Sequence, residues 1–120
     1  MIQIINGQVP SKSNSYIITF ANGHPQLSKG EKLVKYEKSF YLQCNLYRNK
    51  NIKGLFQLKI NIFNSSQRPD LDNCFKVFLD CLQTCKAIEN DRNCIKIEAE
   101  KFVDKINPRI EFEIVELLIK

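Results

Sequence analysis

The stretch that decides the fold is LFQLKINIFN, residues 55–64. Alternate positions hold Phe56, Leu58, Ile60 and Ile62, and most residues between them are polar. Successive side chains of a strand point to opposite faces of its sheet, so a period of two indicates a half-buried strand. The segment therefore predicts a strand with one face in the core.

An apolar stripe predicts a helix over residues 70–87. Its members recur at steps of four and three, the spacing that keeps side chains on one face of a helix. They are Leu71, Phe75, Phe78, Leu82 and Cys85.

The rest of the chain divides into an earlier helix, three strands and a long loop. Ser28 and Glu31 form a predicted capping box at the start of the earlier helix. Residues 104–107 suit a hairpin connection between the last two strands. The predicted segments are strands at 1–9, 93–103 and 108–117, a helix at 29–49 and a loop at 10–28.

The resulting order, β-α-β-α-β-β, predicts an α+β fold of two layers, with helices packed on a mixed four-stranded sheet. A length of 120 residues predicts a single domain over residues 1–120.

No apolar run reaches the roughly 18 residues of a membrane helix, and no signal-peptide pattern is present. The five cysteines include no C-x-x-C pair. We therefore expect a cytoplasmic protein with reduced cysteines and no membrane partner.

Charge is segregated along the chain. Residues 1–69 carry ten Lys or Arg and two Glu, a balance of +8. Residues 70–120 carry eight Lys or Arg and eleven Asp or Glu, a balance of −3. Carboxylates beside a cationic surface indicate a divalent metal that acts on a polyanion.

Three aspartates lie where the 70–87 helix begins or just after it ends. Asp70 occupies a natural N-cap position, Asp72 falls in the first turn, and Asp91 lies in the turn that follows the helix. Magnesium prefers hard oxygen ligands, so these residues would hold one or two such ions. Lys76 would then stabilise the transition state or help to activate water.

Simpler interpretations of the same residues stay open. Asp70 and Asp72 at a helix start also act as caps and complement the helix dipole. Lys76 lies four residues after Asp72, so the two would form an ordinary ion pair on one helix face.

Three motifs together resemble those of the RusA-type Holliday junction resolvases, over nearly the whole chain. They are R-P-D-L-D-N-x-x-K at 68–76, E-N-D-x-x-x-I at 89–95 and V-P-S-K-S-N at 9–14. Asn90 departs from the pattern, since many members have a second Asp there, and this makes Glu89 a substitute ligand candidate.

The resemblance implies a small dimeric endodeoxyribonuclease, of a kind often encoded by phages and prophages. Such an enzyme resolves four-way (Holliday) and other branched DNA by paired, Mg²⁺-dependent phosphodiester hydrolysis, with Mn²⁺ as a substitute ion. By motif, Asp70, Asp72 and Asp91 are implied as metal ligands, and Lys76 as the catalytic lysine.

Helix length adds an argument for a homodimer. A straight helix over 70–87 would separate its ends by about 25 Å at ~1.5 Å per residue. Asp70 and Asp91 of one chain would then be too far apart to share an ion, unless the helix were short or bent or the chain doubled back. Antiparallel packing of two such helices predicts an active site shared across a two-fold interface, which also suits a junction that is cut twice.

Basic and polar residues outside the acidic motifs are candidates for phosphate contact, which would make affinity fall steeply with salt. The simpler interpretation of each is a solvated surface side chain. The candidates for DNA contact are Lys12, Asn14, Tyr16, Lys29, Arg68 and Lys101.

The alternative function is a non-catalytic dimeric nucleic-acid-binding protein whose acids serve only as caps.

Overall fold

Two helices and six strands make up the computed structural model, which describes residues 1–11 and 16–117. Two short 3₁₀ turns, Leu71–Cys74 and Asp91–Asn93, precede the second helix and the fifth strand. In chain order the elements are β1 (Gln3–Asn6), β2 (Tyr16–Ala21), β3 (His24–Lys29), α1 (Glu31–Gln43), β4 (Phe56–Asn64), α2 (Phe75–Thr84), β5 (Cys94–Val103) and β6 (Arg109–Glu116).

The strand predicted from residues 55–64 is β4, and it lies inside a mixed four-stranded sheet of order β1-β6-β4-β5. β4 runs parallel to β5 and antiparallel to β6, while β1 runs antiparallel to β6. Its alternating apolar residues are buried, with Leu58 and Ile60 at most 2% exposed. The predicted α+β class with a mixed four-stranded sheet is confirmed.

Both helices pack on the buried face of this sheet through aromatic contacts. The Phe78 ring of α2 lies 5.7 Å from that of Phe40 in α1 and 4.8 Å from that of Phe112 in β6, both edge-on. Four cysteines belong to the same buried core, and the five cysteines are free thiols. No helix of the described chain is both long enough and apolar enough to cross a bilayer.

Residues 16–29 form a hairpin, so the prediction of a continuous loop over 10–28 was wrong. β2 and β3 pair antiparallel through a two-residue turn at Asn22 and Gly23. Both turn residues have positive φ, 53° and 79°, the geometry for which Asn-Gly is the preferred pair.

The capping box at Ser28 was also wrong. Ser28 belongs to β3, where it pairs with Ile17. Gly30 is the residue before α1, and it makes no side-chain capping bond. α1 ends at Gln43 instead of continuing to residue 49.

β5 and β6 do not form the predicted hairpin, because each lies on a different side of β4. The helix α2 connects β4 to β5, so that β5 runs parallel to β4 and pairs with one edge of it. β6 pairs with the other edge of β4. Asp104 begins the connection, and its backbone N–H donates to the Asn64 carbonyl at 2.8 Å.

Candidate active site

Asp70 and Asp72 lie at the turn that leads into α2. The backbone of Asp70 is extended, and its side chain makes no capping hydrogen bond to the 3₁₀ turn Leu71–Cys74. Instead, its carbonyl accepts from the Asn73 N–H at 3.2 Å. Both aspartates are exposed. The cap interpretation therefore does not account for the Asp70 carboxylate.

Lys76 joins α2 to Asp91. Its Nζ lies 3.2 Å from Asp91 Oδ2 and 3.2 Å from Asp80 Oδ1. Hydrogen bonds to these two carboxylates, first to Asp80, raise the pKa of Lys76 above its ordinary value. No ion pair links Lys76 to Asp72 within the described ranges, so the pairing expected at that spacing was wrong.

Two neutral side chains hold Asp91 in place. Asn90 Oδ1 accepts from the Arg92 N–H at 3.0 Å and so caps the short 3₁₀ turn that Asp91 begins. The Asp91 N–H donates to Gln83 Oε1 on α2 at 3.2 Å. Asn90 therefore helps to fix the turn in which Asp91 lies.

The premise of one straight helix over 70–87 was wrong. α2 ends at Thr84, and Lys86 adopts a left-handed conformation with φ 61°, a common way for a helix to terminate. The chain then doubles back, so that Asp91 lies beside α2 instead of beyond its end. Even so, no three His, Cys, Asp or Glu side chains of residues 1–11 and 16–117 form a group able to hold a metal ion.

A polar cavity of about 550 Å³ lies between α2, α1 and the turn at Asp91. Lys29 and Lys76 bring positive charge to it, and Glu37, Asp80 and Asp91 bring negative charge. Lys29 Nζ lies 2.8 Å from Glu37 Oε2. The cavity thus places one predicted DNA contact, Lys29, near the predicted catalytic lysine.

The other predicted DNA contacts are dispersed. Arg68 is exposed in the loop before Asp70. Lys101 Nζ donates to the Pro69 carbonyl at 3.2 Å and the Gln67 carbonyl at 3.4 Å, which ties that loop to β5. Tyr16 begins β2, and Lys12 and Asn14 lie outside the described residues.

Sequence reasoning missed Asp80 and Gln83 as neighbours of the site, and it missed the capping contact of Asn90. Asp80 carries a usable signal, because it lies four residues after Lys76 on the same helix face. The Asn90 contact also had a local signal, because asparagine is a preferred cap and the N–H that it caps lies two residues on. Gln83 carries none, since its contact with the Asp91 N–H depends on the reversal of the chain after α2.

Comparison with known protein families identifies the family of the chain. The family model described as "Endodeoxyribonuclease RusA" matches residues 7–115, a range that contains Asp70, Asp72, Lys76 and Asp91. No curated protein matches the chain. The match extends over most of the sequence, and the chain therefore belongs to the RusA endodeoxyribonuclease family.

Proposed function

We propose that this chain is a Mg²⁺-dependent, homodimeric resolvase that makes paired cuts in four-way and other branched DNA. Its family membership implies Holliday-junction-resolving endonuclease activity. The Mg²⁺ requirement, the dimer and the paired cuts belong to the proposal. The observation that best supports the proposal is the contact between Lys76 and Asp91, which sets a cation beside a candidate ligand inside the matched region.

The donor set suits magnesium in its chemistry. Asp70, Asp72 and Asp91 offer carboxylate oxygens, the ligands that Mg²⁺ prefers, and Asp70 is not engaged as a cap. Bound at these residues, Mg²⁺ or substituting Mn²⁺ would neutralise phosphate charge and lower the pKa of water. Glu89 is exposed and next to this turn, and it stays a candidate substitute ligand.

Lys76 would act by charge. Its ammonium is held by Asp80 as well as Asp91, so it would keep one anchor if Asp91 turned toward a metal. From that anchor it would donate a hydrogen bond to a phosphate oxygen on which negative charge develops. Preorganised donors of this kind are usually worth about 10²–10³-fold in rate.

A dimer would complete the site. The three acids do not gather into one group within the described chain, and a two-fold partner would supply Asp91 to Asp70 and Asp72. Two sites related by a two-fold axis also match a junction that must be cut in two strands.

DNA would approach from the helix side. On the opposite face of the sheet, Lys59 lies between Glu98 and Glu113, and the next row places Glu100 and Glu111 on either side of an asparagine. These carboxylates repel phosphate. The helix side instead carries Lys29, and the loop before Asp70 carries exposed Arg68. Lys12, Asn14, Tyr16 and Lys101 stay proposed contacts.

Nicking of a synthetic four-way junction tests the function. We expect cleavage with Mg²⁺ or Mn²⁺, no cleavage with EDTA, and binding without cleavage in Ca²⁺. Asp72→Asn should abolish cleavage and retain or strengthen binding, because removal of an acid reduces repulsion of phosphate. If wild-type protein binds junctions but never nicks them with any of these metals, the non-catalytic binding alternative is correct.

A further inference from the structure

β5 leaves a long strand edge open. It is the longest strand of the described chain and forms one border of the sheet. Within residues 1–11 and 16–117, no strand pairs with its outer side. Ten residues at about 3.3 Å each expose a row of unpaired backbone groups about 33 Å long. The opposite border, β1, has only four residues.

Apolar side chains accompany this open edge. Ile97 pairs in register with buried Leu58, so it faces the helix side of the sheet, yet it is 37% exposed. Ile95, at the register irregularity between the pairs of Phe56 and Gln57, is 55% exposed. Long apolar edges promote strand pairing with another chain unless something covers them. The helices of this chain leave both isoleucines accessible.

We propose that β5 pairs antiparallel with β5 of a second copy of this chain, about a two-fold axis that lies between the two Ile97 residues, perpendicular to the sheet. The inference rests on the dimer of the proposed function and assigns its interface. The two sheets then join into one of eight strands, with the helices of both copies on the same face.

Charge selects this register. With Ile97 at the axis, Lys96 lies opposite Glu98 of the second copy, twice by symmetry, and Ile95 lies opposite Ala99. Opposite charges directly across a strand pair stabilise it, and like charges destabilise it. In one chain Lys96 Nζ lies 3.5 Å from Glu98 Oε1, and both side chains are more than half exposed. Each of the two side chains can therefore leave this contact and pair with the oppositely charged residue of the second copy, without desolvation of a buried group.

The registers centred at Lys96 and at residues 98–100 all oppose like charges. A centre at Lys96 opposes two lysines, a centre at Glu98 or Glu100 opposes the glutamate with its own copy, and a centre at Ala99 opposes Glu98 with Glu100 twice. Ile97 is the centre between residues 96 and 100 that avoids every such pair.

The same register brings the two halves of the active site toward each other. Cys94, the first residue of β5, then lies opposite Glu100 of the second copy, so Asp91 just before it lies toward the Val103 end of that strand. This end carries Lys101, which holds the Pro69 carbonyl next to Asp70. The pairing of β5 edges therefore carries Asp91 of one copy toward Asp70 of the other.

Sedimentation of charge variants tests this interface without DNA or metal. At a concentration at which the wild type is a dimer, Lys96→Glu and Glu98→Lys should each be monomeric, because each opposes like charges twice. An equimolar mixture of the two variants should form a heterodimer, in which both cross-strand pairs are restored. The double variant K96E/E98K should dimerise alone, which also shows that neither substitution prevents folding.

Glu116→Lys is the matched control, since it makes the same charge change on β6, away from the β5 edge, and should stay dimeric. The interface is wrong if the wild type is monomeric, if either single variant stays dimeric, or if the mixture stays monomeric. Junction cleavage is scored separately. Single variants that stay dimeric and cleave junctions would refute the interface and leave the proposed function intact. If the variants dimerise as expected but the wild type never cleaves a junction, the interface is supported and the proposed function is wrong.

Discussion

Lys76 Nζ and Asp91 Oδ2 lie 3.2 Å apart although the two residues are fifteen positions apart in sequence. The contact exists because α2 is short and the chain reverses at Lys86. It links the start of the helix to the turn before β5. The predicted catalytic lysine and one predicted metal ligand are thereby adjacent before DNA binds.

Loss of the Lys76 charge should slow cleavage more than binding. We expect Lys76→Gln to reduce the single-turnover rate of junction cleavage about 10²–10³-fold, since it removes a donor to the developing charge. Junction affinity should change only a few-fold by comparison, as for any single phosphate contact. Lys105→Gln, in the exposed connection between β5 and β6, is the matched control. A wild-type rate for Lys76→Gln would exclude this role.

Asn90 should act through Asp91. Asn90→Ala removes the side-chain oxygen that caps the turn of Asp91, and loss of a cap typically costs about 1 kcal/mol. We expect a lower free energy of unfolding in urea and slower cleavage. Asn90→Asp keeps a capping oxygen and should recover both properties. Equal losses in the two variants would show that the cap is irrelevant.

Arg68 and Lys101 should differ in the salt dependence of DNA binding. Arg68 is exposed, so Arg68→Gln should lower the slope of log K against log salt by about one. Lys101 is already bonded to two carbonyls, so Lys101→Met should change the slope less and should slow cleavage by loosening the loop before Asp70. Fluorescence anisotropy across a salt series measures the slopes. Equal slope changes would assign both residues the same phosphate-binding role.

Phe78 should be a main determinant of stability. Its ring contacts both Phe40 and Phe112 in the core and is fully buried. Phe78→Ala should lower the free energy of unfolding by about 3–5 kcal/mol, measured by urea denaturation. Phe102→Ala is the control, because that side chain is 40% exposed and should cost much less.

Asp104 should make stability depend on acidic pH. Hydrogen bonds from the Asn107 N–H and from Arg109 lower the pKa of Asp104 below its ordinary value of 3.8. Because the folded-state pKa is depressed, its contribution is complete above the unfolded pKa and is lost as pH falls through the folded pKa. Asp104→Asn should therefore lower the melting temperature at pH 7, and the difference should shrink at lower pH. A difference that is constant with pH would rule out the ionised carboxylate as its cause.

The periodicity of the sequence predicted where helices and strands lie better than it predicted which strands pair. The alternation at residues 55–64 and the stripe at Phe75, Phe78 and Leu82 each depend on one buried face, which local sequence records. The pairing of β5 and β6 on opposite sides of β4 depends on where α2 returns the chain, and alternation is the same for either arrangement. The hairpin at Asn22 and Gly23 was different, since its Asn-Gly signal was present and overlooked.

The site was predictable as residue types and only partly as geometry. Asp70, Asp72 and Lys76 are close in sequence, so the helix start places them together. The approach of Asp91 to Lys76 depends on the left-handed conformation of Lys86. This conformation was not predicted, because the residue is neither glycine nor asparagine, the usual residues at such a position.

Mixing two inactive variants tests the central claim, that two chains complete each metal-dependent site. Asp70→Asn and Asp91→Asn should each fail to cut a four-way junction in Mg²⁺. In an equimolar mixture that has been allowed to exchange subunits, each heterodimer carries one intact site, so nicking should return. Native mass spectrometry of the same mixture, with one variant isotopically labelled, confirms exchange. If heterodimers form and no nicking returns, while the wild type cuts, the acids act within one chain and the shared site is wrong.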